Sequence, residues 1–215
     1  RNYVVDLRGF GETAPMNSVV LVDGRRVTQA DISGTDWTQI PVDRVKRIEI
    51  VRGGRGAVLY GDNATGGVIN IITREGESNR VGIDSAGGSY ETYKGGAFAE
   101  GRSEGFRYAL NANYFNTNGY RLNSKDEATD LGANLNFYPE ENTILNISSG
   151  YHKENKGLPG ALKESDLAAG MSRKDSIYPD DFAKTEDRYV KGGMQRFFFG
   201  DNYFNFDASV RTRNF

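Results

Sequence analysis

Beyond residue 76 one pattern recurs: segments of about ten residues in which apolar and polar side chains alternate with a period of two. In FRYALNANYF, Phe106, Tyr108, Leu110, Ala112 and Tyr114 alternate with Arg107, Ala109, Asn111, Asn113 and Phe115. In DLGANLNFY, Leu131, Ala133, Leu135 and Phe137 alternate with Asp130, Gly132, Asn134 and Asn136. YFNFDASV sets Phe204, Phe206, Ala208 and Val210 against Tyr203, Asn205, Asp207 and Ser209. Successive side chains of a strand point to opposite faces, so each segment makes a strand with one apolar and one polar face. The candidate strands are 80–88, 91–100, 106–117, 127–138, 143–154, 184–199 and 202–214.

Alternation alone also suits a soluble sandwich, whose polar face meets water. Connection length separates the two. Short links at 101–105, 139–142 and 200–202 alternate with long ones at 118–126 and 155–183. Short turns on one rim and long loops on the other mark a membrane barrel. The segments also match the ~9–11 residues a tilted membrane strand needs. The link near Ser89 departs from the rule by being short. On this reading Phe106, Tyr108, Leu110, Leu131, Leu135, Phe204 and Phe206 face lipid, while Arg107, Asn111, Asn134 and Asn205 face the lumen. A soluble β-rich adhesion module stays open as an alternative; it would need no detergent.

Composition supports a β-rich chain. Only 37% of the 215 residues are hydrophobic, yet 12% are aromatic and 27 are glycine. Aromatic residues line strands and glycine makes turns, whereas disordered chains are poor in aromatics. A net charge of −2 leaves no basic footprint for nucleic acid. The absence of cysteine excludes disulfides, zinc–thiolate sites and cysteine nucleophiles. No apolar run approaches the ~18 residues of a membrane helix, which says nothing against a barrel. Arg1 opens without a visible signal peptide and the last segment stops mid-pattern, so the chain reads as a piece of something longer.

Residues 1–76 obey a different grammar, that of a compact mixed α/β unit. NYVVDLRGFG reads as a strand. SVVLVDGRRV places Asp23-Gly24 between two apolar runs, a strong hairpin signal. Pro41 suits the first turn of a short helix, with Val42 and Val45 on one face, before the strand RIEIV. AVLYG reads as a short turn and VINIITR as the last strand. The glycines around residue 60 are no phosphate loop: no Lys follows them, and Gly54 and Gly56 meet Leu59 where a third glycine is required.

The stretches VVLVDGRRV and IPVDRVKRIEIVRGGRGAVLYGDNATGGVINIITREG, with the strands that follow them, resemble TonB-dependent outer-membrane receptors. The resemblance implies a plug domain over 1–76 and the first strands of a transmembrane barrel over 77–215, about seven of the family's ~22. YGDNATGGVINIITREG then becomes the passage from plug to barrel, with Gly61, Gly66 and Gly67 allowing close packing. The resemblance also implies energised import of a scarce, large solute such as cobalamin or an iron–siderophore chelate. The TonB-type inner-membrane partner would be engaged through a segment absent from this sequence.

Site expectations follow from the resemblance. Arg8, Glu49, Arg52 and Arg74 would form plug–barrel ion pairs. Solute contacts would come from plug loops 9–18, 28–37 and 53–64, with Asn17, Arg25, Arg26, Gln29, Asp31 and Trp37 as candidates. These groups suit a corrinoid's amide rim, and the run to NIITREG, with GGSYETYKGGAFAEG, looks closest to the cobalamin-receptor branch. No cofactor is expected. His152, the only histidine, reads as an exposed residue at a strand end. Asp175, Asp180 and Asp181, with Glu186 and Asp187, could offer oxygens to a hard cation, although solvated surface charge is the better explanation of them. No G-x-S-x-G or other catalytic constellation is present, so an enzyme is not expected; a barrel enzyme or passive porin remains the alternative.

Overall fold

The structure, a computed structural model, describes residues 4–28, 34, 35, 37, 40, 42–53, 60, 61, 63–200 and 202–214. It divides into two compact units, Arg1–Arg74 and Glu75–Phe215.

The first unit is built on a four-stranded sheet. Strands β1 (Ser18–Val22), β2 (Arg25–Arg26), β3 (Val45–Arg52) and β4 (Gly67–Thr73) lie in the order β2-β1-β4-β3. β1 and β4 run parallel at the centre, with Val19 beside Val68 and Val22 beside Ile71. Their near-continuous apolar sequences follow from this position, because central strands covered on both faces cannot alternate. One face buries Val20, Val22, Val27, Ile69 and Ile71, and the other buries Val19, Leu21, Ala64 and Val68. Each such side chain contributes roughly 1.5–3 kcal/mol on burial.

Two local expectations change. Residues 4–10 form no strand; instead the Asp6 carboxylate accepts the amides of Arg8, Gly9 and Gly11 at 3.0, 2.8 and 2.8 Å, folding the segment into a loop. A 3-10 turn at Val42–Arg44 precedes β3, but Val42 is exposed while Val45 packs on the core, so they share no buried face. The AVLYG turn lies largely outside the described residues.

The Asp23-Gly24 turn does more than join β1 to β2. Asp23 sits at φ 50° and Gly24 at φ 75°. The Asp23 carboxylate accepts the Thr73 amide at 2.8 Å and the Thr73 hydroxyl at 2.6 Å, fastening the turn to the end of β4. At the other end of β4, a Cβ on Gly66 would lie 2.7 Å from the Asn17 carbonyl, and one on Gly67 2.5 Å from the Val51 carbonyl. Close backbone approach, rather than turning alone, demands glycine here.

The second unit is one antiparallel sheet of seven consecutive strands: β5 (Arg80–Gly88), β6 (Thr92–Ser103), β7 (Phe106–Thr117), β8 (Asp126–Glu140), β9 (Thr143–Gly157), β10 (Phe182–Phe197) and β11 (Tyr203–Asn214). The ends of β6 and β7 and of β8 and β9 meet through tight turns, while 118–125 and 158–181 are long links. The link at 89–91 is short, with Tyr90 and Glu91 both at positive φ. A short helix, α1 (Glu164–Ala168), lies in the longer link.

The pairing register assembles the two faces. Leu110 opposes Ala133, Tyr108 opposes Leu135, Leu135 opposes Ile147, and Val190 opposes Val210, giving an apolar face. Val81, Ile83, Leu110, Leu131, Ile147, Val190, Phe204, Phe206 and Val210 on that face are all exposed. Arg107, Asn111, Asn134 and Asn205 lie on the opposite face. An exposed apolar band this large on a sheet needs a nonaqueous or protein covering.

Candidate functional site

Two regions concentrate polar groups: one end of the first unit's sheet, and the polar face of the second unit.

At the sheet end where β1 begins, three loops converge. Loop 9–18 contributes Asn17, whose carbonyl accepts the Gly66 amide at 2.7 Å. The Gly53 amide donates to the Gly66 carbonyl at 3.1 Å, bringing in the loop after β3. A Cβ on Gly34 would lie 2.7 Å from Pro15 Cβ, so Gly34, in the link after β2, stands there too. Arg8 lies against Gly53, Phe10 against Gly66, and Arg52 opposes Gly67 in the sheet. Two guanidinium-bearing residues and an aromatic ring thus gather around the loop anchors.

The sequence-predicted solute contacts are not brought together. Asn17 stands before β1, while Arg25 pairs with Val22 at the strand's far end, roughly 17 Å away at strand rise. Arg26 pairs with Leu21. The Asn17 amide is already used, donating to the Thr13 carbonyl at 2.8 Å. Trp37 packs against the buried Val20–Ile69 cluster, which makes it a core residue before a contact residue. Gln29 and Asp31 lie outside the described residues.

Of the charges expected to hold the plug, Glu49 has partners inside its own unit: Arg47 at 2.8 Å and Asn70 at 3.4 Å. Arg74 donates its amide to the Arg44 carbonyl at 2.9 Å. Arg8 is exposed, with its side chain over Gly53.

The polar face of the second unit is a continuous charged network. Asp187 accepts Arg211 Nε at 2.9–3.0 Å, and Arg213 lies 3.9 Å away. Lys156 pairs with Asp126 at 3.0 Å and Glu154 at 3.6 Å, and Lys191 pairs with Asp207 at 3.1 Å. Asn146 donates to Asn134 and Asn136, both at 2.8 Å. His152 belongs to this network. The expectation of an exposed strand-end residue fails: it is 4% exposed within β9, its Nδ1 2.7 Å from Asp130 Oδ1 and its backbone opposite Asp187. β9 extends to Gly157, three residues past the expected segment, which carries His152 into the wall.

The acidic stretch is dispersed as well. Asp175 accepts the Ser172 amide at 2.8 Å, whereas Asp187 is held by Arg211 across the sheet. Among the described residues no three His, Asp or Glu side chains gather as metal ligands.

Sequence reading missed Arg121. Its guanidinium donates to the Asp175 carbonyl at 2.8 Å and the Pro159 carbonyl at 3.2 Å, and also to the Gly160 carbonyl. Asn123 adds bonds to the Tyr178 and Asp181 carbonyls at 2.6 and 2.7 Å. Together they tie link 118–125 to link 158–181. Every acceptor is a backbone carbonyl, so no residue pattern could have announced the clamp.

A small mixed sheet with loops gathered at one end, followed by seven antiparallel strands with an apolar and a charged face, fits a plug domain and part of a barrel wall. Residues 1–68 match the family model of the TonB-dependent receptor plug domain. The chain is 32% identical to the ferric enterobactin receptor of Pseudomonas aeruginosa, over 88% of this chain and 28% of that one. It is 31% identical to the vitamin B12 transporter BtuB of Vibrio vulnificus, over 71% of this chain and 24% of that one. Among solved structures, the unliganded ferric citrate transporter FecA aligns with a TM-score of 0.74 at 26% identity, covering 92% of this chain and 31% of FecA. The siderophore receptor PirA from Pseudomonas aeruginosa shares the fold at a TM-score of 0.68 and 19% identity, over 97% of this chain and 34% of PirA. The first unit is a plug domain of the TonB-dependent receptor kind, and the second is seven antiparallel strands of an unclosed barrel, as in the structures of such receptors. The chain spans 28% of the length of the first relative.

Proposed function

We propose that the receptor carrying this chain sits in the bacterial outer membrane and imports an iron–siderophore chelate, energised by a TonB-type inner-membrane partner. One observation carries the choice of solute: three plug loops converge where Arg8, Arg52 and Phe10 stand. Guanidinium groups beside an aromatic ring suit an anionic, ring-bearing chelate. Arg25 and Arg26, which had favoured a corrinoid, lie away from that end. The solute is carried unaltered, so the receptor is no enzyme. Arg74, at the other end of the sheet, is left to hold the plug by pairing with a wall carboxylate, whereas Arg8 and Arg52 are given to the solute and Glu49 is already engaged by Arg47.

Isothermal titration of the intact receptor tests this. A ferric catecholate should bind tightly, and Arg8→Ala with Arg52→Ala should weaken it at least tenfold. A cobalamin receptor is the second reading, favoured by the similarity to BtuB. Heat with a corrinoid and none with ferric siderophores would establish it instead.

A further inference from the structure

The basic residues at the long-link end of β9, β10 and β11 divide by face. On the polar face Lys156, Lys191, Arg211 and Arg213 all meet carboxylates. On the apolar face, at its long-link end, Lys153, Lys184 and Arg188 are exposed, and among the described residues none makes an ion pair. Lys153 opposes Glu186, with Lys184 and Arg188 two residues to either side along β10. Three cations therefore surround one carboxylate. The next acid along this rim, Glu127, is taken by Lys125 at 3.2 Å.

Their height matters as much as their sign. Proceeding along β10 from the apolar band, Val190 is followed outward by Arg188, Glu186 and Lys184. Aromatic groups accompany the cations: Tyr151 is paired with Arg188, and Lys184 stands 5.0 Å over the Phe182 ring. Arg188 and the Lys153–Glu186 register lie two residues apart, about 7 Å along the strand and about 5 Å along the normal of a strand tilted by about 45°. That matches the headgroup layer of one leaflet, about half of the ~10–15 Å that both polar layers add to the hydrocarbon core. Cations held at that depth attract anionic lipid, and aromatic side chains fix the depth.

We propose that Lys153, Lys184 and Arg188 form a docking site for the phosphate group of a lipid in the leaflet on the long-loop side. This rests on the membrane placement given above. The lipid's phosphate meets the three side chains while its acyl chains lie along the band below Val190. The site thus anchors this sector of the wall by charge as well as by apolar contact.

The test uses the intact receptor in neutral detergent, with phosphatidic acid, phosphatidylcholine and inorganic phosphate as probes, read by native mass spectrometry and thermal unfolding. Phosphatidic acid should bind saturably and raise the melting temperature; phosphatidylcholine and inorganic phosphate should not. The variant Lys153→Gln/Lys184→Gln/Arg188→Gln should bind phosphatidic acid about tenfold more weakly or worse. The charge-keeping variant Lys153→Arg/Lys184→Arg/Arg188→Lys should retain binding, and Lys125→Gln should be silent. Should the neutral triple variant fail to assemble, Arg188→Gln alone is read in its place. Undiminished binding in the neutral variants, or equal binding of phosphatidylcholine, overturns the proposal while leaving the barrel in the membrane. A receptor soluble without detergent that takes up neither lipid overturns the membrane placement and the proposal with it.

Discussion

Asp23 shows how one carboxylate can serve two pieces of structure. The sequence marks it as a turn residue, and it is one. Its larger contribution is to Thr73, fifty positions away, whose amide and hydroxyl both end on it. Asp23→Ala removes the acceptor that both the Thr73 amide and the Thr73 hydroxyl use, and should cost the plug about 1–3 kcal/mol. Hydrogen exchange on the intact receptor should show it as faster exchange at the Thr73 amide; Asp23→Asn, which keeps one acceptor, should be milder. Asp6 is the counterpart at the opposite extreme of exposure. The Arg8 amide foremost, with those of Gly11, Phe10 and Gly9, holds its carboxyl below the ordinary value of 3.8. A carboxyl depressed in the folded state stabilises its loop above the unfolded value, and that contribution is lost as pH falls through the folded one. The Arg8, Gly9 and Gly11 amides should therefore stay protected at neutral pH and lose protection only below about pH 4. Unchanged protection through that window would show that the carboxylate does not organise the loop.

At the scale of the strand, alternation settled most of the barrel wall in advance. β7 runs Phe106–Thr117, the span the pattern marks, and the faces follow from parity alone. Ends were less legible: β9 and β10 extend beyond the alternating stretch because hydrogen bonding to neighbours continues after the apolar signal fades, and His152 changed character with them. The central plug strands β1 and β4 were legible for the opposite reason, as near-continuous apolar runs. Residues 4–10 misled because Val4 and Val5 carry strand propensity, while Asp6 offers the backbone a closer set of acceptors. The candidate solute site was poorly legible, since convergence depends on which end of a parallel pair each loop leaves. Parity also yields a sharp test. Leu110 and Asn111 are neighbours in β7, yet they face opposite sides. Leu110→Arg places a charge against lipid at roughly 2–4 kcal/mol near the midplane. It should reduce heat-modifiable, folded receptor in outer-membrane fractions far more than Asn111→Arg. Equal tolerance at the two positions would refute a membrane-facing apolar side.

For the whole receptor, the contrast between the two units sets the expectation. The wall's inner face is lined with paired charges and asparagines, the chemistry of a wetted lumen rather than a packed core. A large barrel lined this way conducts ions unless something fills it. The first unit is cohesive in itself: its sheet is buried on both faces of β1 and β4, and glycines at 66 and 67 pack backbone against backbone. On the proposed import mechanism, a unit so cohesive should stay closed at rest and yield only to applied force. The wall needs no plug residue for its strand pairing, because each strand from β6 to β10 bonds to two wall neighbours. Removing residues 1–74 from the complete receptor should thus leave a barrel that still assembles, and single-channel recordings should change from near silence to large, steady ohmic conductance. If the intact receptor already conducts like an open porin, the plug does not gate it, and energised import is the wrong mechanism.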